Sequence, residues 1–251
     1  MIKTWELTIP QLSPELTRTA YLYLPDQYDD DPDERFPVLD MFDRQNLVFD
    51  EDASFGKSWG LYDFLTEAQP PLIVAAVSCN TVGDGRLIEY SPFSHTTSRL
   101  GAINARGRTM MNWLIRDFKP QIDAMARTLP DREHTLIGGS SMGGLMSLYA
   151  VLDYNDVFSR AACLSPSLWV DPVKVRRMIR AADVAPDTCI YMDYGSREMG
   201  NHYRNEDALY SACQMLLHKG VDLTFRIVPG GTHSEASWQE RFPLALACLG
   251  F

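Results

Sequence analysis

The chain has 251 residues, of which 45% are hydrophobic and 22% charged, and it carries a formal net charge of −10. That length suits one large α/β domain over residues 1–251 and is short for two. An acidic chain with no basic cluster excludes a nucleic-acid or anionic-membrane surface, because phosphates would be repelled.

In chain order, residues 5–9 and 19–24 read as two strands joined through a turn at Ser13-Pro14, and residues 18–25 alternate with period two. The acidic stretch 26–35 reads as a solvated loop whose aspartates lack EF-hand spacing. Residues 37–42 form a short, nearly continuous apolar run, as a central parallel strand should. Ser58 is placed to cap a helix over 59–67. The clearest buried strand follows at 72–77, and then a long polar loop at 78–108. Residues 109–126 have helical spacing at Met110, Trp113, Leu114, Phe118 and Ile122, despite Pro120. Beyond them, strands at 134–137, 160–165, 189–194 and 223–228 alternate with helices at 145–152, 172–182, 205–218 and 234–249. This alternation predicts an α/β fold with about eight strands in a mostly parallel sheet and helices on both faces.

No apolar run reaches bilayer-spanning length, and the first residues, Met1-Ile2-Lys3-Thr4-Trp5, lack the apolar core of a secretion signal. The five cysteines are scattered, odd in number and without C-x-x-C spacing. Buried free thiols in a cytoplasmic compartment are therefore expected, with no metal or organic cofactor.

Gly139-Ser140-Ser141-Met142-Gly143 is a G-x-S-x-G pattern between an expected strand and an expected helix. A sharp strand-to-helix turn at a serine needs glycines around it and lifts the hydroxyl above the sheet at a helix N-terminus. Ser141 is the candidate nucleophile; Ser140 sits one residue early and would point into the turn. The Met142 N–H heads the helix and can face an oxyanion.

A serine hydroxyl needs a base and a group that orients the base, expected in the chain order serine, acid, histidine. His202 and His233 follow Ser141 outside an evident helix. Of the two, His233 lies just beyond the last strand, in Pro229-Gly230-Gly231-Thr232-His233-Ser234. For the acid, Glu198 beyond the 189–194 strand leads, with Asp193 and Asp207 as alternatives. The second oxyanion amide belongs after the 38–42 strand, at Gln45 or Arg44.

Five segments together make the chain similar to a known family. They are residues 39–47 with Trp59 after them, Arg86-Leu87-Ile88-Glu89-Tyr90-Ser91-Pro92, the elbow itself, Leu164-Ser165-Pro166-Ser167-Leu168-Trp169, and Gly230-Gly231-Thr232-His233 with Trp238 after it. In this the chain resembles the Putative esterase family of the α/β-hydrolase fold. That family includes esterase D-type enzymes, feruloyl and acetyl-xylan esterases, siderophore esterases and bacterial mycolyltransferases. The resemblance implies Ser141 as nucleophile, His233 as base, Glu198 as orienting acid, and oxyanion amides at Met142 and Gln45. It also implies Trp59, Tyr90 and Trp169 as cleft-lining residues, although each reads equally well as a core aromatic. Relatives commonly have Asp-Gly-Gln-Asn where this chain has Asp43-Arg44-Gln45-Asn46. Arg44 would narrow the backbone angles there and put a cation at the cleft mouth, suited to a carboxylate- or phosphate-bearing substrate.

The expected activity is a serine carboxylesterase acting on a small-molecule or saccharide ester. The alternatives are an acyltransferase built on the same residues and a non-catalytic binding protein on the same fold. The loops at 80–108 and 168–174 are the expected cleft walls.

Overall fold

The computed structural model describes residues 1–97, 101–198 and 202–251. In order the chain forms β1 (Ile2–Ile9), β2 (Ser13–Tyr23), β3 (Val38–Met41), α1 (Leu61–Ala68), β4 (Ile73–Val77), α2 (Gly85–Glu89), β5 (His95–Thr97) and β6 (Gly101–Ile103). It continues through α3 (Gly107–Trp113), α4 (Lys119–Met125), β7 (Thr135–Ser140), α5 (Met142–Asp153), β8 (Arg160–Leu164) and α6 (Pro172–Ala181). Last come β9 (Cys189–Gly195), α7 (His202–His218), β10 (Asp222–Val228) and α8 (Glu235–Cys248).

Eight of these strands make one sheet in the order β1-β2-β4-β3-β7-β8-β9-β10. Only β2 runs against its neighbours; from β4 to β10 every pairing is parallel. This is the architecture of the α/β-hydrolase fold. In β4 all five residues are buried, and its side chains alternate between two apolar clusters, Ile73, Ala75 and Val77 on one face and Val74 and Ala76 on the other. Helices α3 to α7 cover the first face through residues such as Met110, Ile122, Leu148, Ile179 and Leu209. Helices α1 and α8 cover the second through Leu61, Leu65, Trp238 and Phe242. Because α5 packs against both β7 and β8 at the centre, it is buried from Met142 to Leu152.

Three local expectations are corrected. Helix α1 begins at Leu61 and not at residue 59, because Gly60 before it is left-handed (φ 57°); the Ser58 hydroxyl, bonded to the Val48 carbonyl and Asp50, accepts from the Gly60 N–H at 3.2 Å ahead of the helix. The helix expected over 109–126 contains a π-helical turn at Leu114–Phe118. That turn ends just before Pro120, whose ring would collide with the Arg116 carbonyl in a regular α-helix. The expected loop at 78–108 contains α2 and the β5–β6 ribbon, with residues 98–100 outside the described residues. All five cysteines are free thiols, and among the described residues no helix is long and apolar enough to cross a membrane.

Candidate active site

Between β7 and α5, Ser141 adopts φ 57° and ψ −118°, a conformation that side chains rarely occupy. The surroundings enforce it: the Ser141 N–H donates to the Leu164 carbonyl at 3.0 Å, and the Ser141 carbonyl accepts from the Ser167 N–H at 3.0 Å. The turn is tight enough that a Cβ on Gly139 would lie 2.9 Å from the Gly143 carbonyl carbon. Ser140, the last residue of β7, is 6% exposed and borders the same cleft as Ser141.

The Ser141 Oγ lies 2.9 Å from His233 Nε2, and His233 Nδ1 lies 2.9 Å from Glu198 Oε2. Ser141 and His233 are 92 positions apart in the chain, and His233 and Glu198 are 35 apart. Parallel β7, β9 and β10 bring them together, because the loops following all three emerge at the same edge of the sheet. His233 also packs edge-on against Trp238, with ring centroids 4.9 Å apart.

Glu198 is fully buried. Its second oxygen, Oε1, accepts from the Gly195 N–H at 2.7 Å and the Ser165 hydroxyl at 2.6 Å, and from both terminal nitrogens of Arg241. Burial would raise the carboxyl's pKa, but the His233, Ser165 and Gly195 hydrogen bonds outweigh it and hold the group below its ordinary value. Ser165 in turn accepts from Trp238 Nε1 at 2.9 Å and from Arg241. Asp193 has a different set of partners, Arg241, the Tyr191 hydroxyl and the Ser165 N–H. Asp207 is exposed on α7, and His202 is the first residue of that helix.

On the other side of the serine, β3 ends in a turn whose left-handed residue is Asp43 (φ 60°), and Arg44–Asn46 follow as a single 3-10 turn. The strain expected at Arg44 is therefore carried by Asp43, a residue type that tolerates this region. Asp43 is clamped there by two Arg86 hydrogen bonds of 2.7 Å, while its N–H donates to the Tyr90 hydroxyl. The Arg44 and Gln45 amides head the 3-10 turn, ahead of its first internal bond from the Asn46 N–H to the Asp43 carbonyl. Gln45's side chain is tied to Asp43 and Cys79. A cleft of about 380 Å³ opens over Ser141 and His233, with Asn46, Phe55, Arg86 and Glu235 in its walls.

The family model described as Putative esterase matches residues 13–249. The chain belongs to that family. A curated relative, the uncharacterized protein YbbA of Bacillus subtilis (strain 168), is 25% identical over 184 residues, 72% of this chain and 69% of its own. Among solved structures, a ferulic acid esterase superposes with a TM-score of 0.69 at 16% identity, covering 99% of this chain and 98% of that one. An IroE-like serine hydrolase from Shewanella oneidensis gives 0.73 at 18% identity, over 99% of this chain and 78% of its own. The enterobactin esterase FES from Shigella flexneri gives 0.75 at 17% identity, covering 99% of this chain and 59% of that one.

The substrate-lining expectations for this esterase are revised by where the side chains point. Arg44 is 9% exposed, stacked 3.7 Å above the Tyr21 ring and paired with Asp52 at 3.1 Å, so it puts no free cation at the cleft mouth. Trp59 is buried against Trp238 and Phe242, behind the cleft. Tyr90 is buried beneath the Asp43 turn, where burial pushes its hydroxyl well above the ordinary value. Trp169 is 39% exposed in a 3-10 turn and does not border the cleft. Of the two expected wall loops, 80–108 contributes Arg86, while the residues at 168–174 do not line the cleft. The wall residues Phe55, Arg86 and Glu235, and the supports Ser165 and Arg241, were not expected. Ser165 and Arg86 lie inside the segments that carry the family resemblance, which was the available signal for them. Among the described residues no cluster of three metal-ligating side chains occurs.

Proposed function

We propose that this carboxylic ester hydrolase works through an acyl-enzyme on Ser141, with His233 as general base and acid and Glu198 as the orienting carboxylate. The supporting observation is the unbroken pair of 2.9 Å contacts from Ser141 Oγ through His233 to Glu198. Glu198, held ionised, fixes the imidazole with its proton on Nδ1 and leaves Nε2 free to take the serine proton. Ser141 Oγ then attacks the ester carbonyl. The carbonyl oxygen becomes an oxyanion received by the Met142 N–H at the head of α5 and the Gln45 N–H in the 3-10 turn. Each such donor is worth about 100- to 1000-fold in turnover. As the intermediate collapses, His233 gives the proton from Nε2 to the leaving alcohol. Water, deprotonated by the same nitrogen, releases the acid and regenerates the serine.

The buried supports fit this division of labour. Arg241 and Ser165 neutralise and aim Glu198, and Arg86 holds the Asp43 turn that presents Gln45. Five free cysteines fit a reducing, cytoplasmic setting. Ser141→Ala is expected to lower hydrolysis of a short-chain nitrophenyl ester by about 10⁴-fold or more. A folded Ser141→Ala variant that keeps the native rate would overturn the assignment.

A further inference from the structure

We propose that Glu235 makes this esterase selective for esters whose leaving alcohol carries a cationic amine. This rests on the Ser141–His233 reading above.

The charges around the cleft separate into two closed pairs and one remainder. Arg86 is matched to Asp43 by two bonds of 2.7 Å, and Arg44 is matched to Asp52 at 3.1 Å. Glu235 is 6% exposed and lines the cleft, yet its hydrogen-bond donors are both neutral, the Asn46 side-chain amide at 3.3 Å and its own backbone N–H. Among the described residues no lysine or arginine lies within ion-pairing distance of it. Burial raises its pKa and Asp43 adds to that, while its own backbone N–H, Arg86 and His233 offset it only in part. A position in the first turn of α8 accounts for an acidic residue, since the helix N-terminus favours one. It does not account for a carboxylate facing the cleft without a cation.

The chemistry places the missing charge. The leaving oxygen takes its proton from His233 Nε2, so the alcohol departs along the wall that His233 shares with Glu235, two residues further on. An ammonium on that alcohol would meet the carboxylate, with the 81%-exposed Phe55 ring in the same cleft to face it. A neutral alcohol leaves Glu235 desolvated and unmatched, and an anionic one is repelled. The anionic substrate suggested by Arg44 in the sequence is thereby reversed in sign.

The test compares acetylcholine with its uncharged carbon isostere, which share the acyl group and the leaving oxygen, by titrating released acid. The native chain is expected to favour the cationic ester by about tenfold or more in kcat/KM. Glu235→Gln should bring that ratio to about one. A native ratio near one, an unchanged ratio in Glu235→Gln, or a uniform fall on both esters would overturn the proposal; the last would assign Glu235 to supporting the imidazolium. Turnover of neither ester by a chain that still takes a fluorophosphonate on Ser141 would overturn it too. Absence of that labelling in the native chain would instead overturn the catalytic reading on which it rests.

Discussion

Asp40→Asn isolates the cost of a buried carboxylate that has no partner. Asp40 lies in β3, three residues before the Asp43 turn, at 2% exposure, and neither of its oxygens accepts a hydrogen bond. Burial pushes its pKa from 3.8 to about 7, with Lys119 lowering it and Asp123 raising it. Below about pH 3.8 the group is protonated in both folded and unfolded chains and costs nothing. Between 3.8 and about 7 the folded chain holds more protons than the unfolded one, so stability falls as pH rises, and above 7 the full cost is present. Converted at about 1.4 kcal/mol per pH unit, that cost is roughly 4 kcal/mol at pH 8 and roughly 2 kcal/mol at pH 5. Asparagine has nearly the same shape and no charge, so its own unmatched amide contributes equally at both pH values. Urea unfolding of the two chains should therefore show Asp40→Asn gaining about 2 to 3 kcal/mol relative to the native chain between pH 5 and pH 8. A stability difference that is the same at both pH values would refute the reasoning.

Two further substitutions probe the supports of the site. Arg241→Met strands the buried Glu198 and Asp193 carboxylates and should destabilise the chain by about 3–5 kcal/mol in urea; a change within about 0.5 kcal/mol would contradict the role given to Arg241. Arg86→Ala releases Asp43 from its clamp and should lower kcat by about tenfold or more with a smaller change in KM. Arg86→Lys should restore it only in part, since an ammonium cannot reproduce the forked contact, and an effect on KM alone would instead make Arg86 a substrate contact.

Backbone chemistry made the elbow readable from the sequence. Gly139 and Gly143 around Ser141, between an apolar strand and an apolar helix, specify the turn without knowledge of any distant residue. The parallel sheet follows from β3, β4 and β7 to β9, whose continuous apolar runs suit strands covered on both faces. His233 and Glu198 followed from the same logic, because strand ends locate loops even where side-chain directions are unknown. The cleft walls were not readable, since nothing local fixes which way Arg44, Trp59 or Tyr90 points. Arg44 turns toward Tyr21 and Asp52, and the two aromatics fill space behind the cleft and beneath the Asp43 turn. Arg241 is hidden for the same reason: within α8 it looks like a solvated helix residue until β9 sets Asp193 and Glu198 against it. The π-helical turn at Leu114–Phe118 depends on where Pro120 meets the rest of its helix, which hydrophobic spacing does not report.

The central claim is an activated serine at Ser141. Treating the native chain and His233→Ala with a fluorophosphonate, and locating the adduct by peptide mass spectrometry, tests it most directly. The account predicts a single adduct on Ser141 in the native chain and loss of that adduct in His233→Ala. A folded native chain that stays unlabelled, or one labelled at Ser140 or Ser167 in place of Ser141, would contradict it.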